Sequence, residues 1–305
     1  MVAFGLRRLG MALFVAFAVS VISFCLLYLS GDLAIALAGE TQDYAQIELI
    51  RKQYGLDRPL LVQYFDWLGK ALAGDFGQSV YFKTPVKTML ADRLPVTMTL
   101  GLTSMLFALA LGIPLGVLAA IRPNSWIDRL ALTLSVVGQA LPTFWFALVL
   151  IVFLSLTFPL LPASGTDSWE NFVMPTIVLG YNAAPAIMRL TRTGMLEVLS
   201  SDYIRTARAK GLRAGKVLFK HALRNAVIPV VSLAAVQFGF MLGGSVVVET
   251  IFALHGTGFM AWEAIKNNDF PTVQAVVLTF SLFYVLLTLA ADLFNAWLDP
   301  RIRIA

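Results

Sequence analysis

Apolar runs of about membrane-crossing length punctuate this chain and alternate with charged connectors. A helix rises about 1.5 Å per residue and a bilayer's hydrocarbon core is roughly 30 Å thick, so a span needs about 20 apolar residues. Six segments qualify: 9–29, 96–121, 130–158, 172–188, 226–248 and 273–298. The third is long enough to tilt, and the fourth is short and interrupted by Pro185. The first has the basic prelude of a signal peptide in Arg7 and Arg8, with Ala36-Leu37-Ala38 as a cleavage-like triplet. Its apolar run exceeds the roughly 7–15 residues of such a region and the triplet lies well downstream, so a retained helix is expected.

Composition agrees. Of 305 residues, 58% are hydrophobic and 13% charged, against about 45–50% and about 25% in soluble domains, which excludes an ordinary water-soluble enzyme. One cysteine, Cys25, leaves no disulfide scaffold and no cysteine-based zinc or iron–sulfur site, and His221 and His255 are too few and too far apart for a metal cluster.

The net charge of +5 divides unequally between the two sides of the membrane. Residues 1–8, 122–129, 189–225 and 299–305 hold 15 basic and 4 acidic residues, or +11, whereas 31–93, 159–172 and 249–272 hold 8 basic and 13 acidic, or −5. Positive loops stay in the cytoplasm, which places both termini there and makes the charge a matter of topology rather than of nucleic-acid binding.

Two connectors could carry function. The first external loop contains helix-like stretches, Ile47, Ile50, Tyr54 and then Leu60, Leu61, Tyr64, Phe65, Leu68; it either caps the bundle or docks a partner. The internal loop 189–225 holds nine basic residues. Within it the cap-type cluster Ser200-Ser201-Asp202 precedes Tyr203-Ile204-Arg205-Thr206-Ala207-Arg208-Ala209-Lys210, and Gly211 follows. This pattern predicts a short helix outside the bilayer, with an acid at its start, cations near its end and glycine as the stop. Topology and anionic headgroups account for the charge alone but not for the caps.

At these residues the sequence resembles the inner-membrane permease subunits of bacterial ATP-binding cassette importers. Their cytoplasmic loop carries Glu-Ala-Ala, three residues, Gly, nine residues, Ile, one residue, Leu-Pro. Ala207, Gly211 and Leu223 fit, while Arg205, Thr206, His221 and Arg224 depart. The departures are those of the dipeptide and oligopeptide permeases, which resemble 203–212 and 221–230 here. The likeness extends to Gly31-Asp32, Tyr54 to Leu60, Gln63-Tyr64, Gly74 to Gly77, Arg93-Leu94-Pro95, Gln237-Phe238-Gly239, Gly243 to Glu249, Gln274-Ala275 and Asp299 to Arg303; Ser30 and His255-Gly256 depart where the subfamily has Pro and Pro-Gly.

The resemblance implies an all-α membrane protein of six spans with the type I importer permease fold, a cytoplasmic coupling helix and a long first periplasmic loop. It divides the chain into residues 1–30, a periplasmic loop at 31–95 and a core at 96–305 that includes 189–225. It implies an ATP-driven importer of peptides or similar small solutes in the bacterial inner membrane, working with a paralogous permease, two ATPase subunits and a periplasmic solute-binding protein. The chain has no G-x-x-x-x-G-K-[ST] loop, since Gly215-Lys216 is followed by Val217. ATP and Mg are therefore expected on the partner ATPases, with no cofactor in this chain. By the same resemblance, coupling falls to Tyr203, Arg205, Ala207, Gly211 and Leu212, with Arg208 and Lys210 as ion partners.

Gly112-x-x-x-Gly116 and Gly239-x-x-x-Gly243 allow close helix packing or line a path. Pro114, Pro142, Pro175 and Pro185 are expected to kink their helices. Polar residues at membrane depth are costly and usually face a cavity or the bundle interior. Gln139, Asn182, Gln237, Gln274 and Asp292 are of this kind, and the path or subunit interface is assigned to Gln139, Asn182, Gln237, Gly239 and Gly243. Asp292 lies near a helix end, where a basic group could pair with it. The alternative function, an ion-gradient-driven secondary transporter, predicts a self-contained chain, inverted repeats and more intramembrane ionisable groups. An intramembrane enzyme would need a nucleophile with its base, and Cys25 has no His beside it. Which cargo is carried, among dipeptides, longer peptides, glutathione, nickel complexes and opines, is left open by the sequence.

Overall fold

A computed structural model describes residues 2–29, 34, 35, 43–53 and 55–298. The motif residues Gly31, Asp32, Tyr54 and Asp299 to Arg303, and the triplet at 36–38, lie outside the described residues. Within them the chain is almost wholly helical, the exception being an isolated antiparallel bridge between Gln78 and Pro85.

Helix α1 (Val2–Leu29) lies against the last helix, α12 (Phe270–Leu298). It is tied there by Arg8 and Asp292, 2.7 Å apart, the basic partner that the position of Asp292 invites. Its outward face, including Leu13 and Phe14, is exposed, as a lipid-facing surface requires. Two shorter helices follow, α2 (Tyr44–Gln53) and α3 (Leu60–Leu72). In α3 Tyr64 is buried and meets Ser20 of α1 at 2.7 Å, whereas Leu60, Leu61 and Phe65 are exposed.

Helix α4 (Val86–Ile121) begins ten residues before the expected span. Pro85, at φ −57°, is pre-set for a helix start. Val86, Met89 and Leu90 then bury against Met260, Ala261, Ala275 and Val276. Arg93-Leu94-Pro95 is thus helix rather than loop, because tertiary packing of an apolar face outweighs the local proline signal.

The expected third span is broken. Helix α5 (Trp126–Ala140) and α6 (Thr143–Leu150), which widens into π-helical turns at Ile151–Thr157, meet at 100°. The break falls at Leu141 (φ −76°, ψ 123°), since the ring of Pro142 excludes the helical conformation from the residue before it. Pro114 and Pro185, by contrast, sit inside continuous helices.

Helix α7 (Val173–Leu199) runs eleven residues past the expected fourth span. Four helices, α1, α4, α10 (Ile228–Ile251) and α12, are long and apolar enough to cross a membrane, and the bent α5–α6 pair makes five when counted as one span. The long but more polar α7, with Asn182, Arg189 and Arg192, is packed inside the bundle and so needs less apolar surface. The core is Leu100, Met105, Met174, Val178, Ile187, Met241 and Leu242, from α4, α7 and α10.

Glycines set the α4–α7 contact. A Cβ on Gly116 would stand 2.6 Å from the Met188 carbonyl oxygen, one on Gly112 2.9 Å from that of Ala184, and one on Gly180 2.5 Å from that of Ser104. Gly239 is closed off by the Tyr284 ring, while Gly243 faces open space. Packing therefore accounts for Gly112, Gly116 and Gly239. Gly116→Ala is expected to lower stability by about 1–3 kcal/mol. Gly69→Ala, on the exposed side of α3 with open space around it, should be neutral or stabilising; thermal melts of the purified chain in detergent decide this.

Candidate functional site: the loop helix and the membrane-depth cavity

Between α7 and α10 the basic loop folds into helix α8 (Asp202–Ala209) and a helical run, α9, composed of Ala214–Lys216, π-helical Val217–Leu223 and Arg224–Ala226. Ser201 holds the N-cap position by its backbone, yet its hydroxyl donates to the Val198 carbonyl at 2.6 Å, and Ser200 does the same to Glu197 at 2.8 Å. The cluster read as a start signal for α8 thus adds a second donor to two carbonyls in the last turn of α7, which already accept the Ser200 and Ser201 N–H groups at 3.3 and 3.1 Å.

The other end of α8 follows the sequence closely. Gly211 has φ +73°, its N–H donates to Arg208 O at 2.9 Å, and the Leu212 N–H donates to Ala207 O at 3.4 Å. This is the paired closure of a glycine-terminated helix, with Leu212 and Ala207 in the same apolar cluster.

The two faces of α8 differ sharply. Ile204 is fully buried and Ala207 nearly so, among Val117 and Ala120 of α4, Met195 of α7, and Val217, Ala222 and Ala226 of α9. Tyr203 is 44% exposed and accepts a hydrogen bond from Asn225 Nδ2 at 2.8 Å. Arg205, Arg208 and Lys210 are exposed, and the Arg205–Asp202 pair at 3.3 Å is too solvated to fix either side chain. Of the seven residues assigned to coupling, Ala207 and Leu212 thus seat the helix, Gly211 ends it, and Tyr203, Arg205, Arg208 and Lys210 are offered outward.

Beside this loop Arg192 of α7 grips Asp128 in the first turn of α5 with two bonds, 2.6 and 2.7 Å long, and Asp128 also accepts from the Asn124 N–H at 2.9 Å. Asp128 is 2% exposed. The sequence reading gave this carboxylate no role beyond its contribution to loop charge.

At the opposite end, Glu249 of α10 is buried and joins two helices. Its Oε1 accepts from Thr97 of α4 at 2.8 Å and its Oε2 from the Phe259 N–H at 2.8 Å, in the first turn of α11 (Thr257–Lys266). Thr97 Oγ1 in turn accepts from the Thr257 N–H at 2.8 Å. Gly256 and Gly258 pass so close that a Cβ on either would stand 2.5 or 3.0 Å from Glu249 Oε2. The glycines of 256–258 therefore serve this carboxylate cap.

The five residues assigned to a path separate. Asn182 and Gln237 share one cavity of about 360 Å³, together with Thr143, which the sequence reading passed over. The break at Leu141-Pro142 was the signal that would have placed Thr143 at a helix start. Gln139 is exposed on α5 outside this cavity, Gly239 packs on Tyr284, and Gly243 is exposed. Gln274 is buried against α1, where its backbone carbonyl accepts from Ser23. Among the described residues no group of three or more His, Cys, Asp or Glu side chains is placed to hold a metal ion.

A helical bundle with a capped basic helix seated on one end, and a mostly apolar cavity into which Thr143, Asn182 and Gln237 reach, is the architecture expected of a multi-pass membrane subunit. Residues 112–304 match the family described as binding-protein-dependent transport system inner membrane component, and residues 1–101 match its N-terminal companion, so the chain belongs to this family of importer permeases. It is 42% identical over 288 residues to the glutathione transport system permease protein GsiC of Escherichia coli strain K12, covering 94% of each chain. The GsiC of Salmonella typhimurium strain LT2 matches at 42% over 275 residues, 90% of each. The fold resembles that of the MetNI methionine ABC transporter in an inward-facing crystal form, with TM-score 0.57, 20% identity, 69% of this chain and 96% of that one. An amino acid ABC transporter solved with histidines matches at TM-score 0.52 with 16% identity, covering 69% of this chain and 94% of that one.

The chain is thus a non-catalytic membrane subunit of an ATP-driven importer, multi-pass in the inner membrane, with ATP hydrolysis on separate subunits. A self-contained secondary transporter is not favoured. Members of such systems work with ATPase, binding-protein and second permease partners.

Proposed function

We propose that this permease carries peptide-like solutes, among which dipeptides, oligopeptides and glutathione are the named classes, and that α8 is the element through which its ATPase partners move it. The observation that carries this reading is the two-sidedness of α8: Ile204 and Ala207 buried in the bundle, Arg205, Arg208 and Lys210 presented outward. A helix so seated transmits a push to the ends of α4 and α7 through packed side chains rather than through a flexible loop. The 42% identity to a glutathione permease over nearly the whole chain supports the solute class.

In this account both termini and α8 face the cytoplasm, as the charge asymmetry favours, and α2, α3 and α11 face the periplasm. The assembly is this chain with a paralogous permease, two ATPases that bind ATP and Mg, and a periplasmic solute-binding protein; the basic loop also meets anionic lipid. The domain division follows 1–30, 31–95 and 96–305.

The test is reconstitution. Liposomes holding all subunits and the binding protein are expected to import labelled dipeptide or glutathione only with ATP inside the compartment that faces α8. Mass spectrometry of the ligand that co-purifies with the binding protein should return a peptide-like molecule. A sugar or an inorganic ion as that ligand would overturn the solute class, and gradient-driven uptake by the chain alone would overturn the assembly.

A further inference from the structure

Three polar side chains from three helices converge on the mid-depth cavity: Thr143 at the start of α6, Asn182 on α7 and Gln237 on α10. Asn182 and Gln237 each lie roughly 14 Å along their helices from the first residue, at about 1.5 Å per residue, near the bilayer middle. Asn182 Nδ2 is 3.4 Å from Thr143 Oγ1, the outer limit of a hydrogen bond. Gln237 has no hydrogen-bond partner among the described residues, and no described residue lining the cavity is ionisable. Phe240, Met241 and Val247 form part of its apolar wall.

Asn182 is exposed and Gln237 half-buried, so both amides are open to bonds with a molecule outside this chain, and in lipid surroundings such bonds are worth making. We infer that this cavity is the chain's share of a solute-handling site in which the carboxamides of Asn182 and Gln237 bind neutral amide groups of the solute. The inference rests on the peptide-like reading above and names the chemistry of recognition. A carboxamide offers one acceptor and two donors on one plane, which matches the C=O and N–H of a peptide bond in a reciprocal pair. A carboxylate would use only the donors and an ammonium only the acceptor, and the cavity has no counter-charge for either, a serious penalty in a low-dielectric site. Methionine and the aromatic ring accept side chains of varied shape, so the polar groups hold the backbone of the solute while the wall tolerates its side chains.

The experiment uses the complete transporter in liposomes. Uptake is measured for labelled Ala-Ala, a mixed dipeptide pool and glutathione, and for whichever is carried, its ester isostere, in which oxygen replaces the peptide N–H. The binding protein's own preference cancels when each solute is compared between variants. Gln237→Leu is expected to lower uptake of the amide about tenfold, the loss of a hydrogen bond worth about 1.4 kcal/mol, and the ester by less than half that factor, with Gln237→Asn intermediate. The second permease should co-purify in full yield with Gln237→Leu. Equal losses for amide and ester, or unchanged uptake of both, overturn the inference alone. Loss of the second permease from Gln237→Leu preparations would make the cavity a subunit interface and overturns it too. A wild-type transporter that carries none of the peptides brings down the peptide-like reading on which it rests.

Discussion

Gly211→Val is expected to cut uptake at least about tenfold while leaving insertion into the membrane unchanged. The position has φ +73°, and a Cβ there would meet nothing within 4 Å, so the penalty lies in the backbone and not in crowding. A left-handed conformation costs an ordinary L-residue about 1–2 kcal/mol, and a β-branched one more. That is enough to shift the population of the closed turn by about 5–30-fold. The turn is what directs Leu212 back beside Ala207 in the apolar cluster. With the turn undone, α8 keeps its charges but loses its seat, and under the coupling role proposed for it ATP hydrolysis by the partners would no longer move the bundle. Asparagine visits the left-handed region readily, so Gly211→Asn should retain most of the uptake. Equal loss in the valine and asparagine variants would show that something other than backbone conformation matters at this position.

The largest stability effect is expected at the Asp128–Arg192 pair. Breaking a buried pair by removing one partner costs about 3–5 kcal/mol, because the remaining charge is left uncompensated. The side chains here are 3% and 20% exposed, and Asp128 also holds the Asn124 N–H, so Asp128→Ala strands three N–H donors at once, two of them on Arg192. The melting temperature of the purified chain in detergent should fall sharply with Asp128→Ala. Asp128→Asn with Arg192→Gln should recover part of it, since the charge problem is removed and one acceptor remains for Asn124. Exchanging the two residues should recover little, because arginine at 128 offers no acceptor to that N–H. A single-variant change under about 1 kcal/mol would mean that the pair is hydrated and belongs with surface ion pairs.

The apolar runs located most of the membrane passages because length and hydropathy are one-dimensional quantities. The stop of α8 at Gly211 was equally legible, since it depends on four or five consecutive residues. What the sequence concealed was set by partners distant in the chain. The early start of α4 depends on Met260 and Val276, more than 150 residues away. The early helix of α4 overrode Pro95, while Pro142 broke its span, and the local sequence alone does not distinguish the two. The use of Ser200 and Ser201 could not be read for a related reason: a hydroxyl donates or accepts, and here both turn back to carbonyls in the last turn of α7 rather than forward to the N–H groups of α8. Within the candidate site, residue types offered Gln139, Asn182 and Gln237 alike, and only the three-dimensional arrangement puts Asn182 and Gln237 on one cavity, leaves Gln139 outside it and adds Thr143.

The proposed coupling requires that the exposed face of α8 meet the ATPases. A photo-crosslinking amino acid placed at Arg208, on the exposed face, in the assembled transporter should give an adduct with an ATPase subunit whose yield changes between nucleotide-free and ATP-bound states. The same probe at Thr250, at the far end of α10, should give none. An Arg208 probe that yields only lipid adducts in every nucleotide state, in a transporter that still imports solute, would contradict the assignment of α8 as the lever.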